Sequence, residues 1–458
     1  MHLQKGQLTK YPIGSLRELW HIAAPLMIMS FSVYAMIFAD RMILSHFSIE
    51  AMNAAVVAGA VYAVFMFSGL SLSLIAEVFV GQHNGAGRLA KIGEPVWQMI
   101  WFAVMSIGIF WPAGLFLGDL FLTKEATSIG IPYYKILMLF GPAVPLIGAL
   151  SAFHVGRGKT LIVTIIAASG NSLNLLLAYL FVFGLDGFIP SMGVAGAAIA
   201  TGISQVSQVI VLFILFLRPK HRETYGTNNF HFNKKVFFSC LKIGGPNAVA
   251  FAIGIASWAF FSDLIASTGI AYMTALTICQ NYLFLFFFIV EGMSKAVTTI
   301  SSNLIGAKNT DLIPKLMNSA LCLHCIIVAI LAIPLIFFSD FCMNGYFNDN
   351  LSIENIDGLR EMVKNSLFWA WIIHILNGIC WIYMGQLTAA GDTKFTMYTN
   401  MISSWLFLVF PAYFFISIMG YSPTWSWKIV AFYDLMISAL MYMRYRSEKW
   451  RKVQIIQE

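Results

Sequence analysis

The sequence predicts an all-α polytopic membrane protein, with twelve transmembrane helices in two six-helix lobes related by an internal repeat. Three observations carry that prediction. Of the 458 residues, 59% are hydrophobic, 15% aromatic and only 11% charged, whereas a soluble domain carries about 25% charge. Mean hydropathy is +0.76. The apolar residues fall into twelve continuous runs, each long enough to cross roughly 30 Å of hydrocarbon as a helix of about 20 residues, and none has the alternating pattern of a barrel strand. Finally, stretches of the first half return in the second.

In chain order the spans are expected at 19–45, 53–80, 94–121, 132–155, 161–184 and 193–217, then at 238–266, 274–304, 315–340, 362–388, 396–418 and 426–446. The first is too long for a signal-peptide core and no small-residue cleavage site follows it, so it reads as a retained helix. The longest charged inner segment, 218–236, separates the sixth span from the seventh. The expected organisation is therefore an N-lobe over 1–217, a cytoplasmic linker over 218–236, and a C-lobe over 237–458 with a short tail. With the N-terminus inside, 21 of the 28 lysines and arginines fall on the inner side, which predicts both termini in the cytoplasm of a multi-pass plasma-membrane (cell inner-membrane) protein. That topology accounts for the net charge of +7, so no nucleic acid partner is expected.

The six cysteines fall mostly within spans, which argues against a disulfide framework. "CLHC" (322–325) has metal-like spacing around His324 but no second ligand pair, and reads as helix packing; no metal site is expected. "FHVGRGKT" ends like a phosphate loop, yet Phe153 stands where the first glycine belongs and no strand precedes it.

The halves can be laid over one another. "IAAPL" around Pro25 matches "IGGPN" around Pro246, and "GQHNGAGR" around Gly85 matches "SNLIGAKN" around Gly306, both at an offset of 221. "VGRGKT" (155–160) resembles "AGDTKF" (390–395) at an offset of 235. Each anchor follows the same number of spans in its half, so the repeat is parallel. Duplicated six-helix halves are a transporter architecture with the substrate path at their interface.

An early proline in the first helix, an aspartate fifteen positions on in "FADRMILSHFSIEAMNAA", "GQHNGAGR" after the second helix, "NSLNLLLAYLFVFG" in the fifth, "GVAGAAIAT" opening the sixth and "LTAAGDTKF" after the tenth follow in order. Together they resemble the multidrug and toxic compound extrusion (MATE) family across nearly the whole chain. The resemblance implies a V-shaped antiporter, not an enzyme, that exports bulky, often cationic compounds against a proton or sodium gradient. Its partners would be small organic cations or drugs and the lipid bilayer. It would work as a monomer, with no cofactor beyond the coupling ion, H+ or Na+.

A carboxylate at mid-membrane costs about 2.5–3.5 kcal/mol on insertion scales, so each one asks for a function. Five acids fall in spans: Asp40, Glu77, Asp263, Glu291 and Asp434. Asp40 lies in the outer half of the first helix and matches the family's coupling aspartate. Its neighbour Arg41 points about 100° away on a helix and either leans outward or pairs with Asp40 and holds it ionised, which would argue against simple proton coupling. By resemblance, Pro25 lets this helix bend and Asn174 supports the same cavity; relatives carry an acid four residues beyond, where this chain has Ala178. Asp40 is thus left with neutral partners such as Asn174 and Thr201. Pro246 is the corresponding kink candidate of the C-lobe.

In the C-lobe, Glu291 and Lys295 stand four residues apart on one helical face and can pair. The functional reading gives Glu291 a coupling cation or a cationic drug, with Lys295 as internal competitor. Asp263, Gln280, Asn281 and Asn377 are further cavity candidates; the sodium-coupled relatives carry acids at places that here hold Gly254 and Asn377. Glu77 is expected to snorkel to water near its helix end, and Asp434 to serve packing or an ion pair. A lipid-linked sugar flippase of the same superfamily is the alternative, but it would line its cavity with basic residues. A membrane-embedded transferase would want an intramembrane histidine or paired carboxylates beside a sizeable catalytic loop, and the longest outer loop, near 340–361, holds Asp340, Asp349, Glu354, Asp357 and Glu361 without histidine.

Overall fold

The computed structural model describes residues 5–118, 124–185, 187–340, 356–453 and 455. Most of the expected outer loop, 341–355 with Cys342, Asp349 and Glu354, lies outside them. Eleven helical passes are long and apolar enough to span a membrane: α1 Leu16–Phe47, α2 Ile49–Gly85, α3 Leu89–Phe116, α4 Ile129–Val155, α5 Thr160–Phe183, α6 Gly193–Phe216, α7 Lys234–Ala266, α8 Tyr272–Gly306, α9 Thr310–Phe337, α10 Gly358–Ala389 and α11 Thr393–Ile418. The twelfth, α12 (Ser426–Arg446), carries Lys428, Asp434, Arg444 and Arg446, which dilute its apolar character. The fold is a two-lobed bundle of twelve transmembrane helices.

Local chemistry sets several helix starts. Ser15 caps α1 by accepting from the Glu18 N–H, while Glu18 reaches back to the Gly14 N–H at 2.7 Å, a variant of the capping box. Ser48 caps α2, and Asn233 caps α7 with bonds from the Lys235 and Val236 N–H groups. The helix α2 breaks for one turn at Ile75 and resumes as Ala76–Gly85. Both α1 and α7 run unbroken through Pro25 and Pro246.

Both chain ends lie on one face of the bundle, called the terminal face below. Residue Lys5 accepts from Asn309 in the α8–α9 turn, and Gly14 accepts from Ser319 of α9. The linker after α6 forms a short helix, Pro219–Tyr225, and is then strapped to α3: Trp97 donates to the Thr227 carbonyl, Gln98 to that of His231, and Asn233 to Glu94. Each lobe's leading segment therefore docks on the opposite lobe.

The buried apolar clusters show how the lobes meet. Near the terminal face, clusters mix the halves: Leu19, Leu26 and Val163 with Ile300, Leu316 and Leu387, and Phe79 and Phe153 with Phe237 and Cys240. Toward the opposite face each cluster belongs to one half, such as Tyr62 with Phe110 and Tyr134, or Phe261 with Leu276 and Trp427. Apolar burial holds the lobes together at the terminal face and leaves a cleft between them beyond it.

The repeat is visible as reciprocal contact. A Cβ on Gly85 would meet the Asn303 carbonyl oxygen at 1.9 Å, and one on Gly306 would meet that of Gln82 at 2.0 Å. Residues 82 and 303, like 85 and 306, are 221 apart, so the anchor segments of the two halves cross each other about a pseudo-two-fold axis. Gly87 and Lys308 hold the same left-handed position in the turns that follow. The third anchor needs correction. Left-handed Gly158 corresponds to Gly391, and the bond from Lys159 N to His154 O corresponds to that from Asp392 N to Leu387 O. The structural offset is 233, not 235, because the turn geometry aligns glycine with glycine where the sequence match had aligned lysines.

Candidate functional site

Two hydrogen bonds fix how α1 lies along α5. The Thr164 hydroxyl donates to the Pro25 carbonyl at 2.7 Å, and the Asn171 amide donates to Ser32 Oγ at 2.9 Å. Both pairs are 139 residues apart, so the helices run parallel and in register. Asp40 is then level with Tyr179, five residues or about 7.5 Å beyond Asn174 along the axis. The expected Asp40–Asn174 partnership is therefore not made. Asn174, fully buried, donates instead to Thr201 of α6 at 3.0 Å, and Thr201 donates to the Ala197 carbonyl. Ala178 sits one residue from the level of Asp40.

Asp40 itself is half-buried, and its Oδ1 is enclosed with no hydrogen-bond partner among the described residues. Asn174 Oδ1 is likewise an enclosed acceptor without a donor. Tyr133 of α4 lies within electrostatic reach of Asp40, Arg41 and Tyr62. Arg41 is exposed, and no ion pair joins it to Asp40 among the described residues. An N-lobe carboxylate with an open acceptor oxygen can hold a proton or a cation.

The second cluster lies where α8 meets α1. Lys295 Nζ is 2.6 Å from Glu291 Oε1, and Tyr34 of α1 donates to Glu291 Oε2 at 3.3 Å. The Glu291 and Lys295 side chains remain 24% and 21% exposed, so the pair faces the cleft. Aromatic rings surround it: Phe31 lies edge-on to Phe288 at 5.2 Å, Tyr34 to Phe287 at 6.3 Å, and Phe287 to Trp381 at 5.1 Å. Gly292 makes this approach possible, because a Cβ there would meet Met27 atoms at 2.6–2.8 Å. The result is a charged pair set in an aromatic floor at the closed end of the cleft.

The remaining C-lobe candidates do not converge on that floor. Asp263 and Asn281 are exposed, and Gln280 donates to Ser262 Oγ at 3.2 Å. Asn377 donates to Asp434 of α12 at 3.4 Å, inside the C-lobe, where Ser438 also bonds the Leu376 carbonyl. That pairing gives Asp434 a partner and turns Asn377 away from a cavity-lining role. His324 turns inward to the Ile375 carbonyl at 3.0 Å while Cys322 and Cys325 are exposed, so "CLHC" does not gather its side chains.

The environment of one intramembrane carboxylate differs from the sequence expectation. Glu77 does not snorkel to water. It is 4% exposed, and its Oε1 lies 2.6 Å from the Thr299 hydroxyl of the other lobe. The turn at Ile75 carries the end of α2 under α8 and closes the route to solvent. A signal was available: Glu291, Lys295, Thr299 and Asn303 recur at four-residue spacing, a polar row on one face of an otherwise apolar helix.

The MatE family model matches twice, at residues 25–180 and 246–414, so that the two stretches begin at the two repeat prolines and together cover well over half the chain. The chain belongs to the MatE family. As a MatE-family chain it is a multi-pass membrane transporter and not an enzyme. It is 25% identical to the probable multidrug resistance protein NorM of Thermotoga maritima over 99% of this chain and 97% of that one, and 25% identical to the uncharacterized transporter YisQ of Bacillus subtilis over 97% of each. Among solved structures, an outward-facing multidrug resistance MATE transporter superposes with a TM-score of 0.85 at 16% identity, covering 99% of this chain and 100% of that one. A eukaryotic MATE transporter gives 0.78 at 17% identity, covering 95% and 96%. At such identities the structures speak for the fold, and the two lobes with a cleft between them are that fold.

Proposed function

We propose that this MatE transporter exports bulky organic compounds, cationic or amphipathic, by alternating access, and that inward movement of H+ or Na+ drives the export. The observation that carries the reading is the floor of the cleft. Glu291 there shares Lys295 and Tyr34 among the rings of Phe31, Phe287, Phe288 and Trp381. A flat aromatic cation gains stacking and cation–π contacts on such a surface and competes with Lys295 for the carboxylate. Asp40, with its open acceptor oxygen, serves as the coupling carboxylate of the N-lobe, and Asn174 and Thr201 stiffen the wall beneath it. Asp263, Gln280 and Asn281 belong to the C-lobe wall.

In this reading the lobes, 1–217 and 237–458, rock about the linker 218–236 in a single chain acting as a monomer in the plasma membrane. The lysine and arginine excess puts the terminal face in the cytoplasm, so the cleft opens to the outside. The name of the Thermotoga relative, a probable multidrug resistance protein, agrees with export of drugs. A sugar-pyrophosphate flippase would need free basic groups at the floor, and the lysine there is already bonded to Glu291.

The test is ethidium transport by the purified chain in proteoliposomes under separately imposed proton and sodium gradients. One gradient drives the wild type, and Asp40→Asn, folded by size-exclusion chromatography, loses the response. Ethidium movement indifferent to both gradients, or a fully active Asp40→Asn, overturns the reading.

A further inference from the structure

The polar row on α8 continues below the cleft floor toward the terminal face, and three of its four members look across the lobe boundary, while Lys295 pairs with Glu291 on the same helix. Glu291 meets Tyr34 of α1, Thr299 meets Glu77 of α2, and Asn303 accepts from Asn84 at 2.7 Å while donating to the Gly156 carbonyl at 2.8 Å. The floor described above therefore leads along one face of α8 to the closed inner ends of α2 and α8, with Thr299 and Asn303 also bonded back to the Lys295 and Thr299 carbonyls. Glu77 lies in the middle of this connection and has no part in the cleft itself.

Its contacts and the local balance of charge single it out. The Thr299 hydroxyl lies 2.9 Å from the Lys295 carbonyl oxygen and 2.6 Å from Glu77 Oε1. A hydroxyl has one hydrogen to give. Given to the Lys295 carbonyl, as in an ordinary threonine back-bond within a helix, that hydrogen leaves the 2.6 Å contact to a protonated Glu77 donating to Thr299; given to Glu77, it serves a charged carboxylate, so the contact accommodates both protonation states. The balance of charge favours the protonated one. Two carboxylates, Glu77 and Glu291, share one ammonium, and Lys295 is already 2.6 Å from Glu291. A buried surplus negative charge is costly, and one proton removes it. A metal cation would want about six or more oxygen ligands, and one carboxylate with one hydroxyl offers too few.

The neighbours leave Lys295 as the charged group that faces Glu77. At the end of α4, His154 and Arg157 of the turn that follows lie 3.4 Å apart, with the guanidinium over the Phe153 and Tyr225 rings at 3.7 and 4.4 Å. On α3, Glu94 is bonded to Asn233. His83 follows on the same helix as Glu77, beyond the turn that carries it, and is near Arg88 and Lys91.

We propose that Glu77 is a proton-carrying carboxylate of the transport cycle, taking up a proton as the two lobes close over it and releasing it at the terminal face when α2 and α8 part. Uptake of a proton from water of the cleft forms an O–H bond on the Glu77 carboxyl, which is then hydrogen-bonded to Thr299; release gives the proton to cytoplasmic water and leaves the carboxylate, with no other group altered. The assignment rests on the proposed antiport and its orientation, and it commits the coupling ion at this step to the proton.

Infrared difference spectra of the purified full-length chain, recorded on pH change, test it directly. The wild type is expected to show a protonated-carboxyl stretch that is lost in Glu77→Gln, retained in Glu77→Asp, and moved to higher frequency in Thr299→Val, which removes the partner but keeps the acid. In proteoliposomes the response of ethidium transport to a proton gradient falls by about tenfold in Glu77→Gln and is kept in Glu77→Asp. A carboxyl band unchanged in both Glu77→Gln and Thr299→Val overturns the assignment, as does full proton coupling in Glu77→Gln. A wild type driven by a sodium gradient alone also overturns the assignment, whereas one that carries the Glu77 band but ignores both a proton and a sodium gradient refutes the proposed antiport instead.

Discussion

Alanine at Gly85 is the sharpest test of how the terminal face is held shut. Its Cβ would sit 1.9 Å from the Asn303 carbonyl oxygen, where ordinary contact begins at 3.4 Å, so α2 and α8 must part by about 1.5 Å. The obstacle is backbone, not a flexible side chain, and it cannot fold away. Overpacking of this kind costs about 1–3 kcal/mol. The parting also strains the Asn84–Asn303 bond at 2.7 Å and the Gln82 bond to the Ala389 carbonyl at 2.9 Å, each worth about 0.5–1.5 kcal/mol. Alanine's better helix propensity, about 1 kcal/mol, applies equally when the lobes are apart and cancels. The closed terminal face thus loses about 3 kcal/mol, roughly a hundredfold in population. Spin labels at Lys91→Cys and Asp311→Cys, in a background without native cysteines, report this as a longer inter-lobe distance. Gly306→Ala should do the same from the other side, and Gly108→Ala, which meets nothing within 4 Å, should not. Unchanged distances in Gly85→Ala and Gly306→Ala would refute the reasoning.

Lys295→Met frees Glu291 at the cleft floor, and ethidium binding, read by fluorescence, is expected to tighten by about fivefold, or roughly 1 kcal/mol. Arg41→Ala removes an exposed charge unpaired with Asp40 and should change thermal stability by less than about 0.5 kcal/mol while leaving gradient-driven transport intact. Asp392→Asn breaks a two-bond contact with Arg444, at 2.7 and 3.1 Å, in which the aspartate is buried and the arginine half-buried. A loss of about 1–3 kcal/mol, discounted for the arginine's exposure, should appear in thermal unfolding in detergent, and Arg444→Lys should not preserve the two-pronged contact.

Much of the site's inventory was legible in the chain. Asp40 and Glu291 announce themselves because a carboxylate inside an apolar helix is rare, and the Glu291–Lys295 pair follows from four-residue spacing alone. The partners were less legible. Asn174 and Thr201 read as partners of Asp40 and bond to each other instead, since the register of α1 on α5 depends on two side-chain bonds that no pattern in either helix specifies. Asn377 was a cavity candidate because it stands where the sodium-coupled relatives carry an acid, and α12 brings Asp434 to it. Glu77 looked solvated because its distance from the span's end was counted along the chain, and the lobe that covers it is 222 residues away.

The sequence by itself determined the membrane, the twelve passes, the duplicated halves and the identity of the intramembrane charges. These are properties of composition, of runs of about 20 residues and of local spacing, all of which are fixed before any helix meets another. Only the tertiary structure decided which face of each helix is shared between lobes. Because the repeat anchors cross at Gly85 and Gly306, the ends of α2 and α8 close on each other, the cleft stays open beyond them, and a carboxylate that reads as a surface residue becomes buried between two lobes. Such long-range closure depends on where backbones approach within contact distance, and a one-dimensional pattern carries no record of that.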